Sequence, residues 1–288
     1  MQNRLPTWFR QEIPFAQTLQ RARLFSDMGL HTVCREALCP NFSECFNKGK
    51  VTFMILGDTC TRNCRFCAVA KSDGRYLKVD SREPERIAEA VRSLDLRYVV
   101  ITSVTRDDLA DGGSSAFAQT IEAIRALDRE IKIEVLIPDF GGNIVSLKCI
   151  SDAAADVVAH NIETVSRLYP GLRPNSDYRI SLEALKLIKE MRDEVITKSS
   201  LMLGLGEKEE EVLCAMQGLR QSRCDILALG QYLAPSKEHF PVKEFISKEK
   251  FARYREIGLS LGFKTVKAGP LVRSSYQAEE VYKEATYA

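Results

Sequence analysis

Val51-Thr52-Phe53-Met54-Ile55-Leu56-Gly57 runs directly into Asp58-Thr59-Cys60-Thr61-Arg62-Asn63-Cys64-Arg65-Phe66-Cys67. The first seven residues form an apolar run closed by glycine, which suits a strand buried on both faces in a parallel sheet covered by helices. Five further runs, at 98–104, 131–138, 157–161, 201–205 and 226–233, each lead into a helix-like segment. In the segment 83–94, Ile87, Val91 and Leu94 share one helical face, and in 181–192 Leu182, Leu185, Ile188 and Met191 do the same. Six strand-helix units with right-handed crossovers predict an α/β fold, a partial (βα)6 TIM-like barrel, because a closed barrel needs eight. A doubly wound open sheet is the alternative. Residues 1–50 and 267–288 fall outside the rhythm and are expected to be N- and C-terminal extensions covering a barrel of residues 51–266, in one structural domain. The tail is expected to fold back over the barrel mouth, where the strands end.

The composition of the 288 residues, 45% hydrophobic and 28% charged, is that of an ordinary folded chain. The 41 basic and 39 acidic residues leave a net charge of +2, so no overall field draws the chain to nucleic acid or to an anionic membrane. No apolar run approaches the roughly 20 residues of a membrane span, and Met1-Gln2-Asn3-Arg4-Leu5-Pro6 lacks a signal core. The expectation is a cytoplasmic protein, with no heptad pattern to suggest anything but a monomer.

Nine cysteines in such a chain point to metal binding or catalysis rather than disulfides, since cytosolic thiols are kept reduced. Six crowd one region. Cys60, Cys64 and Cys67 are spaced CxxxCxxC after the first strand, and Cys34, Cys39 and Cys45 form a second triad, CxxxxCxxxxxC. Three thiolates on a tight loop can hold three irons of a cubane and leave the fourth open. Zinc normally takes four ligands in paired spacing, which the loop does not supply. The second triad adds three soft ligands and implies a second cluster whose fourth ligand is open. Cys149, Cys214 and Cys224 stand apart and read as packing residues.

CxxxCxΦC with an aromatic before the last cysteine, here Phe66, after the first strand of a partial barrel resembles the radical S-adenosylmethionine (SAM) superfamily. The resemblance implies a 4Fe-4S cluster on Cys60, Cys64 and Cys67, whose open iron chelates SAM and whose electron splits it to methionine and a 5′-deoxyadenosyl radical. The segments Cys39-Pro40-Asn41-Phe42-Ser43-Glu44-Cys45, Arg97-Tyr98-Val99-Val100-Ile101-Thr102-Ser103-Val104, Arg106-Asp107-Asp108-Leu109, Gly204-Leu205-Gly206-Glu207, Leu229-Gly230-Gln231-Tyr232-Leu233 and Arg273-Ser274-Ser275-Tyr276 make the chain similar, from about Trp8 to Gln277, to the lipoyl synthase family. That narrower resemblance implies a second, auxiliary 4Fe-4S cluster held by Cys34, Cys39, Cys45 and Ser275, with Ser274 ranked second. The auxiliary cluster would be consumed as sulfur donor while two sulfurs enter C6 and C8 of an octanoyl chain on a lysine. A hard serine oxygen among soft thiolates makes its iron the easiest to release.

The implied partners are octanoylated lipoyl carrier domains of the 2-oxo acid dehydrogenase E2 or glycine cleavage H protein type, an electron donor such as ferredoxin or flavodoxin, and a carrier that rebuilds the cluster. For SAM contacts the expectations are Phe66, Gly112 and Gly113 beyond the second strand, and Asn161 and Glu163 beyond the fourth. Arg173, Lys198 and Arg273 are candidates for gripping a carboxylate, although solvated surface charge is the simpler reading of each. His31, His160 and His239 receive no role. Gln277 and Ser200 depart from residues common in the family, histidine and glycine. The alternative activity is another sulfur-inserting radical enzyme, biotin-synthase-like or methylthiotransferase-like.

Overall fold

A computed structural model describes residues 6, 9, 23, 25–75 and 78–287. Trp8 and most of the expected N-terminal extension before Phe25 lie outside these residues. The strands are β1 (His31–Thr32), β2 (Thr52–Ile55), β3 (Thr59–Cys60), β4 (Ala70–Lys71), β5 (Tyr98–Ser103), β6 (Lys132–Leu136), β7 (Val157–Ala159), β8 (Ile196–Leu203), β9 (Ile226–Gln231) and β10 (Thr265–Gly269). The helices are α1 (Val33–Glu36), α2 (Phe42–Asn47), α3 (Glu83–Ser93), α4 (Ser114–Leu127), α5 (Ile144–Asp152), α6 (Tyr169–Leu172), α7 (Tyr178–Met191), α8 (Glu209–Gln221), α9 (Lys248–Ser260) and α10 (Ala278–Thr286).

The main sheet runs β1-β2-β5-β6-β7-β8-β9-β10, with every pair parallel except β1 against β2. It is a partial βα barrel in which the six expected strands appear in order. A seventh parallel strand, β10, follows them and crosses the expected boundary at residue 266. Its sequence, Thr265-Val266-Lys267-Ala268-Gly269, is too mixed to register as an apolar run. Strand β8 begins at Ile196, five residues before the run at Leu201, because the polar residues in between are buried with partners. Thr197 donates to the Arg223 carbonyl, the Ser199 hydroxyl accepts from Ile162 N–H, and Lys198 pairs with Glu134 at 2.7 Å.

The Lys198–Glu134 pair corrects the expectation for Lys198, since both side chains are 1% exposed. Tyr98 donates to the other Glu134 oxygen at 2.7 Å, so both carboxylate oxygens are engaged and the buried charges neutralise one another. Lys198 is an internal strut and is committed to Glu134.

The tail after β10 closes the gap between the sheet edges. The Pro270 carbonyl accepts from Gln231 N–H, Asn41 donates to the Leu271 carbonyl at 2.6 Å, and Thr52 donates to Ser275 at 2.9 Å. The chain then enters α10, whose Val281 and Ala285 pack on Val157, Ile196 and Ile226, the first residues of β7, β8 and β9. The C-terminal extension therefore covers the floor of the barrel beneath β7, β8 and β9, where strands begin, rather than its mouth. The reason is an apolar plug: Val157, Ile196 and Ile226 form an apolar patch there, and one face of α10 covers it.

Gly230 permits the tail to pass, because a Cβ there would sit 2.0 Å from the Val272 carbonyl oxygen. Gly230→Ala should displace the tail and destabilise the chain by about 1–3 kcal/mol. A lower thermal midpoint and faster trypsin cleavage after Arg273 are the expected outcomes; an unchanged midpoint with a protected tail would contradict the packing.

Candidate active site

The loop carrying Cys60, Cys64 and Cys67 leaves β2 through Leu56, a non-glycine residue at φ 68°. That conformation is held from both sides, since Glu83 accepts from Leu56 N–H at 2.9 Å and Arg106 donates to its carbonyl. The loop itself is pinned by Arg62, which the sequence reading missed. Its guanidinium forks onto Asp139 with two contacts of 2.6 Å, and Asp107 accepts from Nε and Nη2 at 3.1 Å. Asp139 follows β6 and Asp107 follows β5, so one buried side chain ties the cysteine loop to two neighbouring strand ends. Burial alone would raise the Asp139 carboxyl, but the Arg62 fork outweighs it and holds the group at about 2. His239 supports the far end of the loop, with Nε2 3.2 Å from the Cys67 carbonyl oxygen.

The three loop thiols open onto a cavity of about 200 Å³ also lined by Phe66, His160, Asn161, Glu163 and Arg173. Three buried polar atoms on its wall have no hydrogen-bond partner: Ser103 Oγ, His160 Nε2 and Arg173 Nε. Unpaired buried groups are costly, so these three atoms are open to a polar partner in the cavity. Of the two readings of Arg173, a grip for a carboxylate or solvated charge, the structure excludes the second, because it buries the side chain. Its Nη1 donates to the Asn161 and Ile162 carbonyls and to Tyr169, and the guanidinium lies 4.9 Å from the Tyr169 ring centroid, leaving Nε free. His160 Nδ1 meets the Ile137 carbonyl at 2.9 Å, and burial pushes the ring down to about 4, so it is neutral. No spacing motif marked His160, because its role comes from sheet position alone.

Glu163 sits at φ 61° beside Leu201, and its carboxyl is raised by burial against the opposing pull of Arg173 and of the Asn161 amide. Asn161 bridges Glu163 at 3.0 Å and Ser274 at 2.9 Å. Phe66 packs with Leu172, Leu205 and Tyr232. Gly112 and Gly113 are not brought to any of these cavities. Gly113 precedes α4 with φ 89°, and a Cβ on it would lie 2.2 Å from Leu56 Cδ1, while Gly112 faces Phe140. These glycines allow close packing under the strand that feeds the cysteine loop. Asp111 accepts from Gly113 and Ser115 N–H to start the helix.

A second cavity of about 430 Å³ occupies the lumen beneath. Phe66, Cys67, Asn161 and Glu163 line it at one end, Cys34, Cys39, Arg273 and Ser275 at the other, with Leu136, Leu201, Met202 and Leu233 along its wall. A third, of about 450 Å³, adds Cys45 to Cys34, Cys39 and Ser275, and lies against Thr52 and Tyr98, where β2 and β5 begin. Ser275 and Ser274 thus part company. Ser275 shares the cavity of all three thiols, whereas Ser274 is turned to Asn161. Ser200, one of the two departures, lines the lumen.

The second triad is built on two short helices. Cys34 lies in α1, Cys45 in α2, and Cys39 on the turn between them after Leu38 at φ 50°. Burial and then the neighbouring Cys39 push the Cys34 thiol up to about 11; burial and then Cys34 and Cys39 push Cys45 up to about 12. Burial likewise raises Cys39, Cys64 and Cys67. Such thiols stay protonated until iron displaces the proton from sulfur, so loading must expel protons. Among the described residues no three Cys, His, Asp or Glu side chains converge on one metal ion. In a four-iron cluster each thiol takes a different iron, so spaced thiols in a common cavity suit that group. Cys149 is half-buried, Cys214 is exposed on α8 and Cys224 is buried, all remote from these cavities.

The radical SAM superfamily profile matches residues 54–217. The fold is shared with solved structures of the FeFe-hydrogenase maturase HydG (TM-score 0.56, 15% identity, 81% of this chain and 62% of that one) and methylornithine synthase (TM-score 0.54, 16%, 72% and 62%). A lipoyl synthase of Caldicellulosiruptor saccharolyticus is 52% identical over 98% of this chain and 99% of its own length. The chain belongs to the lipoyl synthase family. Lipoyl synthases of Desulfotalea psychrophila (51% identity, 98% of this chain, 94% of theirs) and Caldanaerobacter subterraneus (51%, 96% and 96%) match over the same extent. Membership in this family within the radical SAM superfamily makes the chain a sulfur-inserting radical enzyme that uses SAM and a 4Fe-4S cluster. No helix among the described residues is long and apolar enough to cross a membrane.

The depressed Asp139 group fixes the sign of a pH effect. Its folded value of about 2 lies below the ordinary carboxylate value. Its contribution is present above about pH 4 and is lost as pH falls toward 2. Asp139→Asn should lower the urea midpoint of the metal-free chain at pH 7 by the equivalent of about 2–3 kcal/mol. Near pH 3 the gap from wild type should narrow; a gap that stays constant from pH 7 to 3 would refute the assignment.

Proposed function

We infer that the chain acts as a lipoyl synthase in which Cys60, Cys64 and Cys67 hold the cluster that binds SAM, and Cys34, Cys39, Cys45 and Ser275 hold an auxiliary 4Fe-4S cluster that donates sulfur. The observation that carries this reading is the lumen cavity, which has one cysteine set at the mouth end, the other at the floor end, and apolar side chains between. When bound, the cluster and SAM supply the radical that attacks unactivated carbon-hydrogen bonds, and the auxiliary cluster supplies the sulfur that joins C6 and C8 of the octanoyl chain.

The chain's residues account for the rest. Arg173 Nε is a free donor placed for the methionine carboxylate, and a guanidinium suits that anion. Asn161 and Glu163, on one wall with His160, offer acceptors and donors to the remaining polar atoms of SAM, and Phe66 supplies an apolar face. Leu136, Leu201, Met202 and Leu233 take the acyl chain and exclude water from it. Thr52 orients Ser275 toward the second triad, and the Asn161–Ser274 bond fixes the tail across the lumen. Gly112 and Gly113 have no part in this assignment.

The substrate is a protein-bound octanoyl chain. Octanoyl-lysine on lipoyl carrier domains of the E2 or H protein type enters from the mouth. Ferredoxin or flavodoxin supplies electrons, and a separate carrier restores the auxiliary cluster.

Anaerobically reconstituted protein, given SAM, reductant and an octanoyl-lysine peptide, should yield a peptide with two added sulfurs by mass spectrometry. Ser275→Ala should form 5′-deoxyadenosine without the doubly sulfurated product, and Ser274→Ala should retain sulfur insertion. A chain lacking Cys34, Cys39 and Cys45 should hold half the iron of wild type. Full sulfur insertion by Ser275→Ala would remove that residue from the ligand set.

A further inference from the structure

The auxiliary triad faces two cavities. Cys34, Cys39, Arg273 and Ser275 form the partition between them, lining both the lumen and the floor cavity. The floor cavity continues past Cys45 to Lys48, Lys50, Arg97 and Glu279. Arg97 belongs to the turn that leads into β5, so this cavity opens on the face opposite the mouth. Its rim is in water: the Lys48 and Arg97 side chains are 56% and 67% exposed.

The contacts across this rim are weak ones. Tyr276 donates to Glu44 at 3.2 Å, Lys48 pairs with Glu44 at 2.7 Å, and Lys50 pairs with Glu280 of α10. Exposed ion pairs of this kind contribute little, so the rim can part without unfolding the barrel. The lumen side is different, being lined by apolar residues that would be filled by the acyl chain while sulfur is delivered.

Resting on the proposed auxiliary cluster, we propose that its iron enters and leaves through the floor cavity, past Lys50 and Arg97, while the acyl chain reaches the same cluster from the mouth. The two routes meet at Cys34, Cys39 and Ser275. Ser275 stands on the floor route as well as in the lumen, so an iron released from its oxygen has an aqueous exit that does not cross the substrate. Lys50 pairs with Glu280 and Arg97 with Asp95 and Asp128, exposed pairs that part at little cost and leave room for small ions, whereas indole side chains there would narrow the passage.

The test uses fully loaded enzyme after one round of turnover, mixed anaerobically with bathophenanthroline disulfonate, a chelator too bulky to enter the lumen. Wild type, Lys50→Trp, Arg97→Trp and Ala234→Trp, the last on the lumen wall, are compared by the rate at which the ferrous-chelator absorbance appears. Both floor variants should release iron about tenfold more slowly while forming the same first-turnover product, and Ala234→Trp should lose product while its loaded, unturned cluster leaches iron into the chelator under dithionite at the wild-type rate. Wild-type release by both floor variants, or slowing by Ala234→Trp alone, overturns the floor route. Equal iron in wild type and in a chain lacking Cys34, Cys39 and Cys45 would instead overturn the cluster assignment on which the route rests.

Discussion

A parallel sheet of seven strands that stops short of closure is the constraint from which the rest of this molecule follows. Eight-stranded barrels fill their interior with layers of side chains. Here the sheet leaves two edges, β1-β2 on one side and β10 on the other, and a lumen that its own side chains do not fill. Unsatisfied edges and exposed apolar interior both need cover. The segment 31–50 and the tail 270–276 supply it, and they are the segments that carry the second cysteine triad and Ser275. The triad and Ser275 are therefore brought together by the same contacts that cover the barrel's open side.

Buried charge does the fine positioning. Arg62 leaves the cysteine loop and reaches Asp139 and Asp107 at two strand ends, so the loop cannot shift without exposing an unpaired carboxylate or guanidinium. Deeper in the barrel Lys198, Glu134 and Tyr98 join three strands through a single carboxylate. Breaking either network costs more than forming it gains, which makes both better at specifying geometry than at adding stability. Arg173 completes the pattern, with its Nη1 spent on carbonyls and its Nε left without a partner beside the cavity of the loop thiols.

Most of the barrel was legible because its strands are apolar runs, and the metal chemistry was legible because cysteine spacing is a local property. The first half of β8 was hidden because Thr197 and Lys198 look exposed until their distant partners are known, and β10 because Lys267 breaks its apolar run. The same holds for Arg62, His160 and Arg173, whose neighbours are 77, 23 and 11–12 residues away in the chain. Gly112-Gly113 failed in the opposite direction, since a glycine pair after a strand has the same sequence signature whether it approaches a ligand or a leucine. The position of Ser275 followed from family resemblance, but the floor location of its site did not, because sequence alone does not say which end of a barrel a tail will cover.

The central claim is that two cysteine sets occupy opposite ends of one lumen, each holding iron. Anomalous X-ray scattering at the iron edge from crystals of the anaerobically reconstituted protein tests it most directly. The account predicts two separate iron clusters, one on Cys60, Cys64 and Cys67 at the mouth, the other on Cys34, Cys39 and Cys45 at the floor with Ser275 Oγ on its fourth iron. Iron at the first site alone, or a fourth ligand other than Ser275 at the second, would contradict it.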